Sequence, residues 1–67
     1  MMFNLYNKMG QPIKYRGQLN KGDSVRVGPG GMKHKVTELE GNKGIMRSIY
    51  GTNYILKYTE ERGWIWK

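Results

Sequence analysis

Turn-forming residues recur along this chain at short, regular intervals: Asn7-Lys8-Met9-Gly10, Arg16-Gly17, Asn20-Lys21-Gly22, Gly28-Pro29-Gly30-Gly31, Gly41-Asn42, Gly51-Thr52-Asn53 and Glu61-Arg62-Gly63. The segments between them run roughly five to eight residues, a length that suits strands and is too short for packed helices. Their content is rich in Val, Ile, Thr and Tyr, which fit a pleated sheet. No apolar stripe at i, i+3, i+4 spacing is long enough for a helix. The spacing predicts strands at Met2–Tyr6, Gln11–Tyr15, Ser24–Val27, Lys33–Leu39, Gly44–Tyr50, Tyr54–Thr59 and Trp64–Trp66.

Alternation assigns faces to several of these segments. Val25 and Val27 point to one side and Ser24 and Arg26 to the other, so the valines are expected inside and Arg26 outside. Tyr54, Leu56 and Tyr58 form a core face opposite Ile55, Lys57 and Thr59. Gly44–Tyr50 mixes polar and apolar residues on both parities, which points to a β-bulge. Glu40-Gly41-Asn42-Lys43 has the composition of a tight hairpin turn, with Gly41 and Asn42 able to take positive φ.

The chain has 67 residues, enough for one domain with a thin core and little stability to spare. No cysteine is present, so neither a disulfide nor a thiolate metal site can staple it. Five Met, five Tyr, two Trp and Phe3 supply much of the apolar volume. With so many short strands, closing the sheet into a barrel buries one face of each and removes exposed edges. The expectation is an all-β domain over 1–67, a small SH3-like barrel of five to seven short antiparallel strands, with residues 1–20 added as an N-terminal hairpin.

The stretch Lys21-Gly22-Asp23-Ser24-Val25-Arg26-Val27, followed by a glycine loop, resembles the opening of KOW-type and other SH3-like bacterial domains. More narrowly, residues 21–39 are similar to the YodC-like family of small bacterial proteins, through Gly22, Asp23, Val25, Gly30, Gly31, Met32 and Val36. That resemblance implies a fold and little chemistry. The Cys-Trp element expected in the next strand is replaced by Met46-Arg47-Ser48.

Charge frames the functional question. Twelve Lys and Arg stand against five Asp and Glu, a formal net charge of +7, and among residues 1–36 the one acid is Asp23. Clustered cations create a positive potential that favours nucleic acid or an acidic protein surface. Catalysis is not expected. The chain has one His and one Asp, His34 lies between two lysines and reads as a solvated strand residue, and the pairs Glu38/Glu40 and Glu60/Glu61 read as surface charge. No metal or cofactor is implied. Gly28-Pro29-Gly30-Gly31 lacks the spacing of a phosphate-binding loop and reads as a turn, with a backbone anion contact as the alternative. No apolar run approaches a membrane span or a signal-peptide core, so a soluble cytoplasmic protein is expected.

Two functional expectations follow. The first is a nucleic-acid-binding domain that contacts the phosphate backbone of DNA or RNA without strong sequence specificity. Its phosphate contacts would be Lys14, Arg16, Arg26, Lys33, Lys35, Lys43, Arg47 and Lys57, with Tyr50 or Trp64 stacking on a base. Arg26, Lys33 and Lys35 should sit side by side on adjacent strands, and their joint loss should leave the melting temperature unchanged or raised. The second is a small accessory protein, of the kind carried by phages and mobile elements, that docks through a basic and aromatic surface on an acidic patch of a larger host protein. Trp64-Ile65-Trp66 bears on both, because the indoles share one face and Ile65 takes the other. Either both faces are covered, with Ile65 against the N-terminal hairpin, or a tryptophan is exposed. Tyr15, next to Arg16, is a lesser stacking candidate.

Overall fold

The computed structural model describes residues 2–28 and 30–67; Pro29 of the glycine loop lies outside them. Seven strands form among these residues: β1 (Phe3–Asn4), β2 (Tyr6–Asn7), β3 (Ser24–Arg26), β4 (Lys33–Glu40), β5 (Lys43–Ser48), β6 (Asn53–Thr59) and β7 (Gly63–Trp66). Every pairing is antiparallel, and the order across the sheet is β1-β7-β6-β5-β4-β3-β2. Because β1 and β2 are separated by Leu5 alone, the two ends of that order meet in one stretch of chain. The sheet is thereby closed into a small, nearly complete barrel, the all-β architecture of an SH3-like domain.

The face assignments from alternation hold where the strands are regular. Val25, Val36, Met46 and Leu56 are buried in one cluster with Leu5, Ile13, Leu19 and Trp64, and Val27, Leu39, Tyr54, Tyr58 and Trp66 pack against it half-buried. Lys57 and Ile55 are exposed, as their parity requires. The two-residue hairpin joins Glu40 to Lys43, with Gly41 at φ 60°. Asn42 keeps negative φ, so the turn has the type II′ pattern of a glycine at its first central position. The bulge lies in β4 rather than in Gly44–Tyr50. Val36 pairs with Met46 and Glu38 with Ile45, leaving Thr37 as the extra residue. Its hydroxyl donates to the Ile45 carbonyl across the irregularity (3.3 Å).

Gln11–Tyr15 is not a strand. Pro12 makes one isolated bridge to Tyr6, and Pro has no N–H with which to continue a ladder. The N–H groups of Lys14 and Tyr15 donate instead to Gln18 Oε1 (2.9 and 2.8 Å), and a 3-10 turn follows at Arg16–Gln18. The side chain of Gln18 thus takes the place of a neighbouring strand.

The N-terminal hairpin exists, but it is part of the barrel wall rather than an addition to it. Three backbone hydrogen bonds tie its ends to β7 in a ring: Leu5 N–H to Trp64 O (3.1 Å), Trp64 N–H to Ile13 O (3.0 Å) and Ile13 N–H to Leu5 O (2.9 Å). All three residues are buried. Both faces of β7 are covered, which settles the Trp64-Ile65-Trp66 question. Trp64 is fully buried with its indole N–H on Arg16 O (3.1 Å), Trp66 is half-buried with its own on Asn4 O (3.1 Å), and Ile65 is buried opposite Asn4. No helix among the described residues is long and apolar enough to cross a membrane.

Candidate nucleic-acid interface

The outer surface of β3-β4-β5-β6 follows directly from the register. Ser24, Lys35, Arg47 and Asn53 form one row across four strands, since each is the cross-strand partner of the next. Lys33 lies on the same face beside it, paired with Arg26. A second row is Glu40, Lys43 and Lys57, followed by Ile65. The two rows are about 13 Å apart along β5, four residues at ~3.3 Å each. Between them run Glu38, Ile45 and Ile55. Five of the expected phosphate contacts, Lys33, Lys35, Lys43, Arg47 and Lys57, are therefore gathered on one face, all exposed.

The arrangement is electrostatically unfavourable by itself. Lys35 stands directly opposite Arg47, and Lys43 directly opposite Lys57. Like charges so placed on adjacent strands destabilise a sheet. Solvent screening keeps that cost small on an exposed face, and an anion bound between the partners would remove it.

Arg26 behaves differently from the others. Its Nε donates to the Lys8 carbonyl (3.2 Å) and its Nη1 to the Gly31 carbonyl (2.9 Å), so the guanidinium clamps the turn after β2 to the glycine loop after β3. It is half-buried, with two of its donors committed to backbone. The joint loss of Arg26, Lys33 and Lys35 is thus no longer expected to be neutral for stability. Arg26→Lys keeps the charge and loses the fork. It should lower the melting temperature by roughly 4 to 8 °C, about 1 kcal/mol, as read by circular dichroism, whereas Lys33→Ser should leave it within about 2 °C, a shift below 0.5 kcal/mol.

Lys14 and Arg16 are exposed but lie beside the start of β7, where no strand pairing among the described residues joins them to the cationic rows. Trp64, fully buried, has no face to offer a base; of the two expected stacking residues Tyr50 is the exposed one. That side chain is 79% exposed at the tip of the β5-β6 turn. Ser48 Oγ accepts from the N–H groups of both Tyr50 (3.2 Å) and Thr52 (3.1 Å), and Ser48 O from Gly51 (3.0 Å), so the backbone carrying the ring is held from three points. In the glycine loop, the Gly31 N–H donates to Gly28 O (3.0 Å), which closes a turn and withdraws that donor from an anion.

His34 is buried, 7% exposed, and is not the solvated residue expected from its lysine neighbours. Those lysines take the outer parity of β4 and leave His34 on the inner one, cross-strand from Val25 and Ser48. Its Nδ1 lies 3.0 Å from Met32 O. A carbonyl can only accept, so Nδ1 carries the proton and Nε2 is the acceptor in the neutral ring. The alternation pattern contained this signal. Among the described residues, no three His, Asp or Glu side chains converge as a metal site would require. Comparison with known protein families, with curated proteins and with solved structures yields no match to this chain.

Proposed function

We propose that this protein is a nucleic-acid-binding module that grips the phosphate backbone with the outer face of β4-β5-β6 and performs no catalysis. The carrying observation is the pair of like-charge cross-strand contacts, Lys35 with Arg47 and Lys43 with Lys57, on a face where Lys33 adds a fifth cation. A fold with a thin core keeps such pairs at a cost to itself, and a polyanion supplies the compensating charge. Binding through five phosphates predicts that log K falls with log salt at a slope near −4.5 on duplex DNA and near −3.5 on a single strand. The double variant Lys35→Ser/Arg47→Ser should flatten the duplex slope by about 1.8. Its melting temperature should be unchanged or higher, because a repulsive pair has been removed. Titration at several salt concentrations, followed by fluorescence anisotropy, checks this; a flat dependence in the unmodified protein overturns the reading.

One observation favours docking on an acidic protein instead. The Ile45–Ile55 pair between the cationic rows borders, with Leu39, an open groove of about 390 Å³, and Ile55 is exposed. Phosphates have no use for that apolar strip, whereas a protein partner would bury it. A stoichiometric protein partner recovered after nuclease treatment, and lost in Ile55→Asp, is the result this second reading requires.

A further inference from the structure

Two clefts adjoin at the end of the barrel where β4 begins and β5 ends. The first, about 210 Å³, is cationic, with Lys33, Lys35 and Arg47 on its walls. The second, about 300 Å³, is aromatic, with Tyr50, Tyr54 and Trp66 on its walls. His34 and Ser48 line both and form the border between them. The aromatic side is built as a row of rings: Trp66 meets Tyr54 edge-on at 5.5 Å, and Tyr54 meets His34 edge-on at 5.4 Å. The border is polar in a defined sense. Ser48 Oγ accepts two backbone N–H groups, so its own O–H is left to donate, while His34 offers Nε2 as an acceptor.

We propose that these paired clefts form a subsite for one unpaired nucleotide, with a phosphate in the cationic cleft and its base against Tyr50 in the aromatic one. The partner is a single-stranded nucleic acid, because a base stacked inside a duplex cannot enter a cleft. Charge complementarity selects the phosphate side. The exposed ring of Tyr50 supplies a stacking surface on a turn whose backbone Ser48 already holds before binding. This inference rests on the proposed function and narrows it from backbone binding in general to a single strand with its bases present.

The test compares three probes by fluorescence anisotropy: a short oligothymidylate, a backbone of equal length without bases, and a duplex. Unmodified protein should bind the oligothymidylate at least tenfold more tightly than the abasic backbone. Tyr50→Ala should abolish that advantage while changing abasic and duplex binding less than twofold, and Tyr50→Phe should restore it. Since Tyr50 is exposed on a turn, these variants keep the fold. Equal binding of thymidylate and abasic strands, or no response to Tyr50→Ala, overturns the subsite and leaves the backbone reading standing. Absence of salt-dependent binding to all three probes overturns both.

Discussion

Gly63→Ala is expected to lower the melting temperature by roughly 12 to 24 °C, from a loss of about 3 kcal/mol. Gly63 opens β7 at φ 78°, a conformation that L side chains rarely adopt. A Cβ there would lie 2.5 Å from Ile13 O and 2.5 Å from Lys14 Cα. Both are backbone atoms, so no side-chain rotation relieves the contact. The Ile13 carbonyl is also the acceptor for Trp64 N–H in the three-bond ring that closes the barrel. Pushing it aside opens the junction of the N-terminal segment with β7. Gly22→Ala is the control: its φ of 93° carries the same backbone penalty, but nothing lies within 4 Å of the added carbon. That variant should lose only about 4 to 8 °C, near 1 kcal/mol. Equal shifts for the two variants, measured by circular dichroism melts, would show that the close approach at Gly63 does not constrain the barrel.

What the sequence made legible was local. Alternation placed Val25, Leu56, Tyr54 and Lys57 on their correct sides, and the Gly41-Asn42 turn was visible because two-residue hairpins draw on few residue types. The features that escaped depend on contacts remote in sequence. Gln11–Tyr15 has the length of a strand, yet Gln18 satisfies its backbone from outside the window. The closure of residues 5–13 onto β7 joins positions about fifty apart, for which no periodicity exists. His34 departs from its expected exposure for another reason. Its lysine neighbours suggested solvent, but neighbours in a strand face the opposite way, and the parity that places Val36 inside also places His34 there.

The candidate site divides in a similar way between local and remote determinants. A strongly basic chain and its cationic residues could be enumerated from sequence, but which of them share a surface depends on register, and the Thr37 bulge shifts that register in the middle of β4. Were Thr37 instead paired in regular alternation, the stretch of β4 beyond it would present the opposite parity, and Glu38 and Glu40 would leave the outer face where they now stand opposite Ile45 and Lys43. The bulge therefore decides that the Lys43–Lys57 row carries an acid beside it while the Lys35–Arg47 row does not. Arg26 illustrates the complementary limit. Its outward parity was correct, but a forked guanidinium between two loops finds carbonyls, and that use is invisible until the loops are in place.

Val25→Asp should abolish cooperative folding. Val25 is buried in the main cluster, cross-strand from His34 on β4 and from Asn7 on β2, at the seam where the N-terminal segment closes the barrel. An ionised carboxylate left there without a partner costs about 3 to 5 kcal/mol. A domain of this size without disulfides or metal has about 3 to 5 kcal/mol in total. Val27→Asp provides the contrast, because Val27 shares the parity of Val25 but is half-buried at the edge of the aromatic cleft, where water can reach the new charge. That variant should remain folded with a melting temperature lowered by roughly 4 to 16 °C, for a loss of about 1 to 2 kcal/mol. On the proposed function it should also weaken oligonucleotide binding, since it places a negative charge in the aromatic cleft, where it would repel a polyanion. Urea titration separates the two: a sloping, non-cooperative signal for Val25→Asp and a shifted but cooperative transition for Val27→Asp. A cooperative transition for Val25→Asp near the original midpoint would mean that β3 presents its other face to the core.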